Sequence, residues 1–338
     1  MTQHKITVKG PHHETENPSI HREALLTQLK DIPKNASNLS ITEDTPSDTE
    51  WDILAAHFTA VRELEMFTGW NEDLNDKRTP THWPIEKMQL ADACGEVIKS
   101  PHILQGRIKH LILNHTCGLG FEGAAAAHPA PESENQPIGK QTSQLRTLEI
   151  IENDALDTFL RMYASLSHVV DGITSLTLRS TEIPDDLDCA SDEIFLQSLS
   201  KLTGLQTLNL FIGEIFKEPT TLPSLCKNLP PNLTTLQFRG PLSFGRSNEF
   251  EEWVGAFSSD SFLPKLERLA IVLDYHYSKA DNAWFLNLDT PPEAELAEAR
   301  AACERLYEAA RQRGITVQPL HDRWVNGHMR LRDVDSRW

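Results

Sequence analysis

A spaced apolar triplet, Leu-x-x-Leu-x-Leu with Ile, Val, Phe or Met as substitutes, returns along this chain and constrains its fold more than any other feature. It reads Val61/Leu64/Met66, Ile108/Leu111/Leu113, Leu145/Leu148/Ile150 and Ile173/Leu176/Leu178, then Leu205/Leu208/Leu210, Leu233/Leu236/Phe238 and Leu266/Leu269/Ile271. Half-copies stand at Leu39/Ile41 and Ile315/Val317. Between middle residues the steps are 47, 37, 28, 32, 28 and 33 residues. The second and third apolar positions are two apart, so in a strand both point to one side, and the first turns in from the preceding loop. One such strand cannot bury its apolar face alone. Stacking successive units in register gives a continuous core, so each triplet is expected to be one rung of a solenoid.

Helical periodicity fills the gaps. Residues 154–170 place Leu156, Phe159, Leu160, Tyr163 and Leu166 on one face. Phe195, Leu199 and Leu202 do the same, as do Phe250, Val254 and Phe257. The longest stripe is Leu296, Ala299, Cys303, Leu306 and Ala310, with Pro292 near its start and Gly314 past its end. Strand, helix, strand, helix predicts parallel strands joined by right-handed crossovers. The predicted fold class is therefore α/β, with a parallel sheet on one face and helices on the other.

The chain resembles the leucine-rich-repeat family over roughly residues 36 to 320, and in particular the irregular repeats of fungal F-box/leucine-rich-repeat-like proteins without a recognisable F-box. The stretch ARAACERLYEAARQRGITVQPLHDRW is similar to the closing unit of that group. The resemblance implies a horseshoe with the sheet on its concave face. It also implies a ninth position holding Asn or Cys in a ladder of side-chain hydrogen bonds; here that position is Gly69, Thr116, Asn153, Thr181, Gly213, Pro241 and Asp274. Residues 1–35 are expected to form an N-terminal segment with a capping helix around Leu25, Leu26 and Leu29. Residues 36–320 form the repeats, with an insertion at 67–84 carrying Trp70 and Trp83, and a proline-containing loop at 122–144. Residues 321–338 read as a tail.

The 32 basic and 49 acidic residues leave a net charge of −17, which disfavours nucleic acid and anionic membrane as partners. The N-terminus lacks the apolar core of a secretory signal and no stretch reaches membrane-span length, so an intracellular location is expected, cytoplasmic or nuclear. Five scattered cysteines without a C-x-x-C pair suggest reduced thiols.

Motifs for chemistry are few. Gly118, Gly120 and Gly123 match G-x-G-x-x-G, but Pro129, Pro131 and Pro137 follow where a dinucleotide-binding helix would have to open. His12, His13 and His21 lie in a polar stretch without a thiolate nearby. Asp185, Asp186 and Asp188 lack the Gly and Glu of a calcium loop. His110 with Cys117 is the one arrangement that suggests a nucleophile and base, and it carries the weaker, enzymatic alternative. No catalytic, cofactor or metal site is assigned.

What remains is the side of the strands facing away from the triplets. Glu63, Glu65, Phe67 and Glu149 lie toward the N-terminal end, and Arg179, Phe211, Arg239 and Arg268 toward the C-terminal end. These eight are the expected anchors for a protein or peptide partner. Sequence alone thus predicts a non-catalytic protein-interaction scaffold. The alternative is a ubiquitin-ligase adaptor recruiting its core through the helix near Leu25 and Leu29.

Overall fold

Seven strands of the protein are each fastened to their predecessor at their start. In the computed structural model the carbonyl just before one strand accepts two consecutive amides at the start of the next. Ser37 O takes Arg62 and Glu63; Arg62 O takes Glu86 and Lys87; Glu86 O takes Lys109 and His110; Lys109 O takes Arg146 and Thr147. The same clasp recurs when Thr174 O takes Gln206 and Thr207, Gln206 O takes Thr234 and Thr235, and Thr234 O takes Glu267 and Arg268. All these bonds are 2.8–3.0 Å long. The structure describes residues 2–10, 18–67, 79–91, 100–114, 143–152, 155–180, 189–211, 225–275 and 292–320. The chain divides into two compact units: residues 1–152 with 157–173, and residues 153–156 with 174–338.

The first unit runs β1 (His4–Thr7), α1 (Pro18–Leu29), β2 (Asn38–Thr42), α2 (Asp48–His57), β3 (Glu63–Phe67), β4 (Lys87–Ala91), α3 (Pro101–Leu104), β5 (His110–Asn114) and β6 (Thr147–Glu152), followed by most of α4 (Ala155–Val170). The second runs β7 (Ser175–Ser180), α5 (Cys189–Lys201), β8 (Thr207–Phe211), β9 (Thr235–Pro241), a 3₁₀ turn (Leu242–Arg246), α6 (Asn248–Phe257), β10 (Arg268–Tyr275), α7 (Glu293–Gln312) and β11 (Thr316–Val317). Within each unit every strand pairs in parallel with the strands before and after it in the chain. The inward pairs stack in register: Leu39, Leu64, Met88, Leu111 and Leu148 are successive partners, as are Leu176, Leu208, Leu236 and Leu269. All of them are at most 2% exposed, so the ladders are the core.

Two of the described strands lie outside the seven triplets and the two half-copies. The 47-residue step between Leu64 and Leu111 contains β4, whose Ile85, Met88 and Leu90 carry the same spacing and are buried. At the N-terminus β1 adds Ile6 to the ladder as the partner of Ile41. Trp83, just before β4, is 1% exposed, donates its indole N–H to Phe58 O at 2.8 Å and meets Trp51 edge-on at 6.2 Å. Trp70, the 122–144 loop except Ser143 and Gln144, and the tail from residue 321 lie outside the described residues.

Two side chains finish the sheet where backbone cannot. In unit 1, Ser47 and Glu50 form a capping box on α2. The buried Glu50 carboxylate also takes the amides of Lys9 at 3.0 Å and Gly10 at 3.2 Å, tying the end of β1 to the helix. Gly10 has φ +74°, and a Cβ there would lie 2.2 Å from Asp44 Oδ2, so only glycine fits. In unit 2, β11 pairs only with Arg268 and Leu269, leaving the edge of β10 open beyond them. Tyr307 of α7 closes it: its hydroxyl accepts the Ile271 N–H at 3.0 Å and donates to the Ile271 carbonyl. Burial pushes that phenol well above its ordinary range, so it remains a donor.

Two substitutions test these joints by urea denaturation. Glu50→Ala should cost about 1–3 kcal/mol for each buried amide it orphans. Tyr307→Phe keeps the ring but strands one N–H and one carbonyl, and should cost about 1–3 kcal/mol.

Candidate functional site

The face of unit 1's sheet opposite the core can be read as columns, because successive partners in a parallel sheet sit about 4.8 Å apart. The first column is Asn38, Glu63, Lys87, His110 and Thr147. The second is Ser40, Glu65, Gln89, Ile112 and Glu149. The third includes Phe67, Ala91, Asn114 and Ile151. Alternation alone makes all of them outward, yet Ile112, Ile151 and Ala91 are each 1% exposed. What stays accessible is a depression of about 320 Å³ lined by Gln3, Asn38, Glu63, Glu65, Lys87 and Gln89, with Leu39 and Leu64 also in its wall. Gln3 Nε2 donates to Glu65 Oε2 at 2.6 Å, and Glu63 is exposed.

His110 is the strand partner of Lys87 but does not line this depression. Its Nε2 lies 2.6 Å from Glu149 Oε1, reaching diagonally across to β6. The imidazole is 24% exposed and the carboxylate 9%, so the pair is sheltered but open on the His110 side. The expected His110–Cys117 arrangement cannot be followed, because Cys117, like Gly118, Gly120 and Gly123, lies outside the described residues. The described thiols are inert: burial pushes Cys226 up to about 12 and Cys303 higher still, so neither is a thiolate at neutral pH. Among the described residues no cluster of three or more His, Cys, Asp or Glu could hold a metal ion.

Unit 2 treats the corresponding face differently. Across β7 to β10 the row Arg179, Phe211, Arg239 and Val272 alternates cation with hydrocarbon, and all four are at most 2% exposed. Phe211, Ala270 and Val272 form an apolar cluster with Leu320, from the segment that follows β11. The two inner arginines, expected at a partner surface, are interior. Arg239 is held by Asp274 through Nε–Oδ1 at 2.7 Å and Nη2–Oδ2 at 2.9 Å, and its guanidinium lies 4.4 Å from the Tyr275 ring centroid. Arg268 alone of the three is exposed, and its Nε donates to Thr235 Oγ1 at 3.1 Å. The side chain of Phe67 lies outside the described residues. Leu25 and Leu29, the expected recruitment surface for a ligase core, are 1% and 3% exposed and pack inward.

No family model matches the chain, and no curated protein matches it. Among solved structures it overlaps a sugar phosphate isomerase/epimerase from Parabacteroides distasonis, at 10% identity and a TM-score of 0.23, over 97% of this chain and 89% of that one. Against these findings the leucine-rich-repeat and F-box resemblance is withdrawn. With it go the solenoid and horseshoe fold class, the scaffold and ligase-adaptor readings, and the assignment as a non-catalytic protein. The geometry supplies a reason at the ninth position. There Asp274 continues β10 and forms a buried ion pair, and Pro241 continues β9, where the family pattern calls for a ladder of Asn or Cys. A TM-score of 0.23 transfers neither the fold nor the activity of the isomerase/epimerase to this chain. The fold is therefore described as the hydrogen bonds of each unit give it: among the described residues, each unit is a parallel α/β arrangement whose strands pair in chain order. Among the described residues no helix is long and apolar enough to cross a membrane.

The interior position of Arg239 has a measurable consequence. Asp274→Ala leaves a buried guanidinium without its carboxylate and should cost about 3–5 kcal/mol in urea denaturation. Replacing both partners together, as Arg239→Met with Asp274→Leu, should recover most of that loss.

Proposed function

We propose that the accessible face of unit 1's sheet binds a basic peptide segment. The observation that carries this is the pairing of Glu63 and Glu65 in the polar depression beside Lys87 and Gln89. Both carboxylates lie on one strand, two residues apart, so both point to the same side. Their oxygens are acceptors only, and Gln3 occupies just one acceptor site on Glu65. A ligand made of donors, ammonium or guanidinium groups on an extended chain, is complementary to that set. The net charge of −17 draws such a ligand in from a distance and repels anionic competitors. Glu149, two strands from Gln89 beyond Ile112, is buried and engaged by His110, so it is not part of this surface.

The reading is tested by fluorescence anisotropy with a labelled decalysine at low salt. Decalysine should bind, decaglutamate should not, and raising ionic strength to about 0.5 M should weaken binding severalfold as charges are screened. Glu63→Lys with Glu65→Lys should reduce affinity at least about tenfold by reversing the local field. Undiminished binding by that variant would overturn the assignment. Spermine binding as tightly as decalysine would show that a small polyamine, not a peptide, is the ligand.

A further inference from the structure

We infer that Lys87 makes the depression selective for the C-terminal residue of a basic peptide. Its ammonium takes the terminal carboxylate, while Glu63 and Glu65 take the cationic side chain of the same residue. The inference rests on the basic-peptide reading and adds to it which part of the peptide is seated and which residue selects it.

Glu63 and Lys87 are direct partners on β3 and β4, and both line the depression. Opposite charges on adjacent strands, about 4.8 Å apart along the sheet, are close enough to neutralise each other. One residue earlier the strands do this, where Arg62 meets Glu86 at 2.6 Å. Among the described residues no ion pair joins Glu63 to Lys87, and the Lys87 ammonium has no hydrogen-bond partner. The depression thus keeps both signs of charge available. Its donors flank its acceptors in register. Asn38 stands beside Glu63 on β2, and Lys87 stands on the other side on β4. Asn38 Oδ1 accepts from Ser37 Oγ at 2.7 Å, so its amide nitrogen is the part left to donate. Gln89, beside Glu65, offers a donor and an acceptor.

A purely cationic stretch satisfies Glu63 and Glu65 but meets Lys87 as a like charge. A carboxylate on the same ligand turns that repulsion into attraction and gives Lys87 and Asn38 a group to donate to. A lysine- or arginine-rich chain has one such group, its α-carboxylate. In a C-terminal lysine or arginine it shares a residue with the cationic side chain. The volume agrees. At about 320 Å³ the depression stands at the lower end of sites that hold small ligands, room for one end of a chain rather than a long stretch. Capture of a terminal carboxylate is a recurring way of reading a peptide. The overall field works in the opposite sense. A protein of net charge −17 draws a peptide harder the more positive that peptide is, and amidating the C-terminus removes one negative charge. The field alone therefore favours the amide, and Lys87 favours the acid.

Two decalysines labelled at the N-terminus, one ending in a free acid and one in a carboxamide, separate these contributions by fluorescence anisotropy on the full chain. Wild type should bind the acid about threefold to tenfold more tightly than the amide. Equal or tighter binding of the amide would overturn the inference while leaving the Glu63/Glu65 reading intact. Lys87→Met should abolish the preference for the acid, and Lys87→Arg, which keeps the charge, should retain it. An acid preference that survives in Lys87→Met would remove Lys87 from its role. A decalysine amide with one internal lysine replaced by glutamate should bind no better than the plain amide. If it matches the free acid, any carboxylate serves and the terminal assignment falls. Failure of wild type to bind either decalysine would overturn the basic-peptide reading and this inference with it.

Discussion

One carbonyl accepting two consecutive amides at the start of seven of the strands is the joint on which the remaining architecture depends. It fixes where a strand begins relative to the previous one, and with a side-chain period of two, a slip of a single residue would turn every inward leucine outward. The clasp at Glu86, for example, places Lys109 and His110 so that Leu111 meets Met88 and Leu113 meets Leu90. Both the core and the outer columns follow from that alignment. Glu63, Lys87 and His110 stand side by side because their entry amides are pinned, not because their side chains select one another.

That joint also explains what the sequence displays and what it conceals. The triplet spacing is legible because the two inward positions and the turn residue before them are repeated at each clasp. Parallel strands in chain order follow from helical stripes such as Leu296, Ala299 and Cys303 between triplets. The strand β4 carries Ile85, Met88 and Leu90 in the same spacing, but it follows directly on the polar insertion at 67–84 and does not stand out from it. The strand β1 has only Ile6 and Val8 to announce it. Family resemblance proved a poor guide, since the apolar spacing reflects the physics of stacking strands rather than membership of a group.

The outer face was less legible than the core, for a definite reason. Alternation says which side of a strand a residue occupies, but not whether anything lies over that side. Arg179 and Arg239 occupy outward positions and are nonetheless wholly buried, Arg239 because Asp274 and Tyr275 receive its guanidinium. The partner Asp274 is 35 residues away in sequence, and no local pattern announces it. Glu63 and Glu65 share one side of one strand because they are two residues apart, a relation that needs no long-range contact. The contact of His110 with Glu149 spans 39 residues and depends on the register of β5 against β6, which only the folded chain supplies.

The closure of β10 by Tyr307 has a bearing on how the molecule behaves in a crowd. A bare strand edge is a template on which another chain can add itself, and proteins with such edges tend to associate through them. Here the template is occupied by a phenol hydroxyl that imitates both halves of a neighbouring peptide at Ile271. Because the imitation comes from a helix side chain, β10 offers no bare peptide group at Ile271 to a second molecule. Colloidal behaviour at high concentration is thereby tied to a single buried oxygen atom.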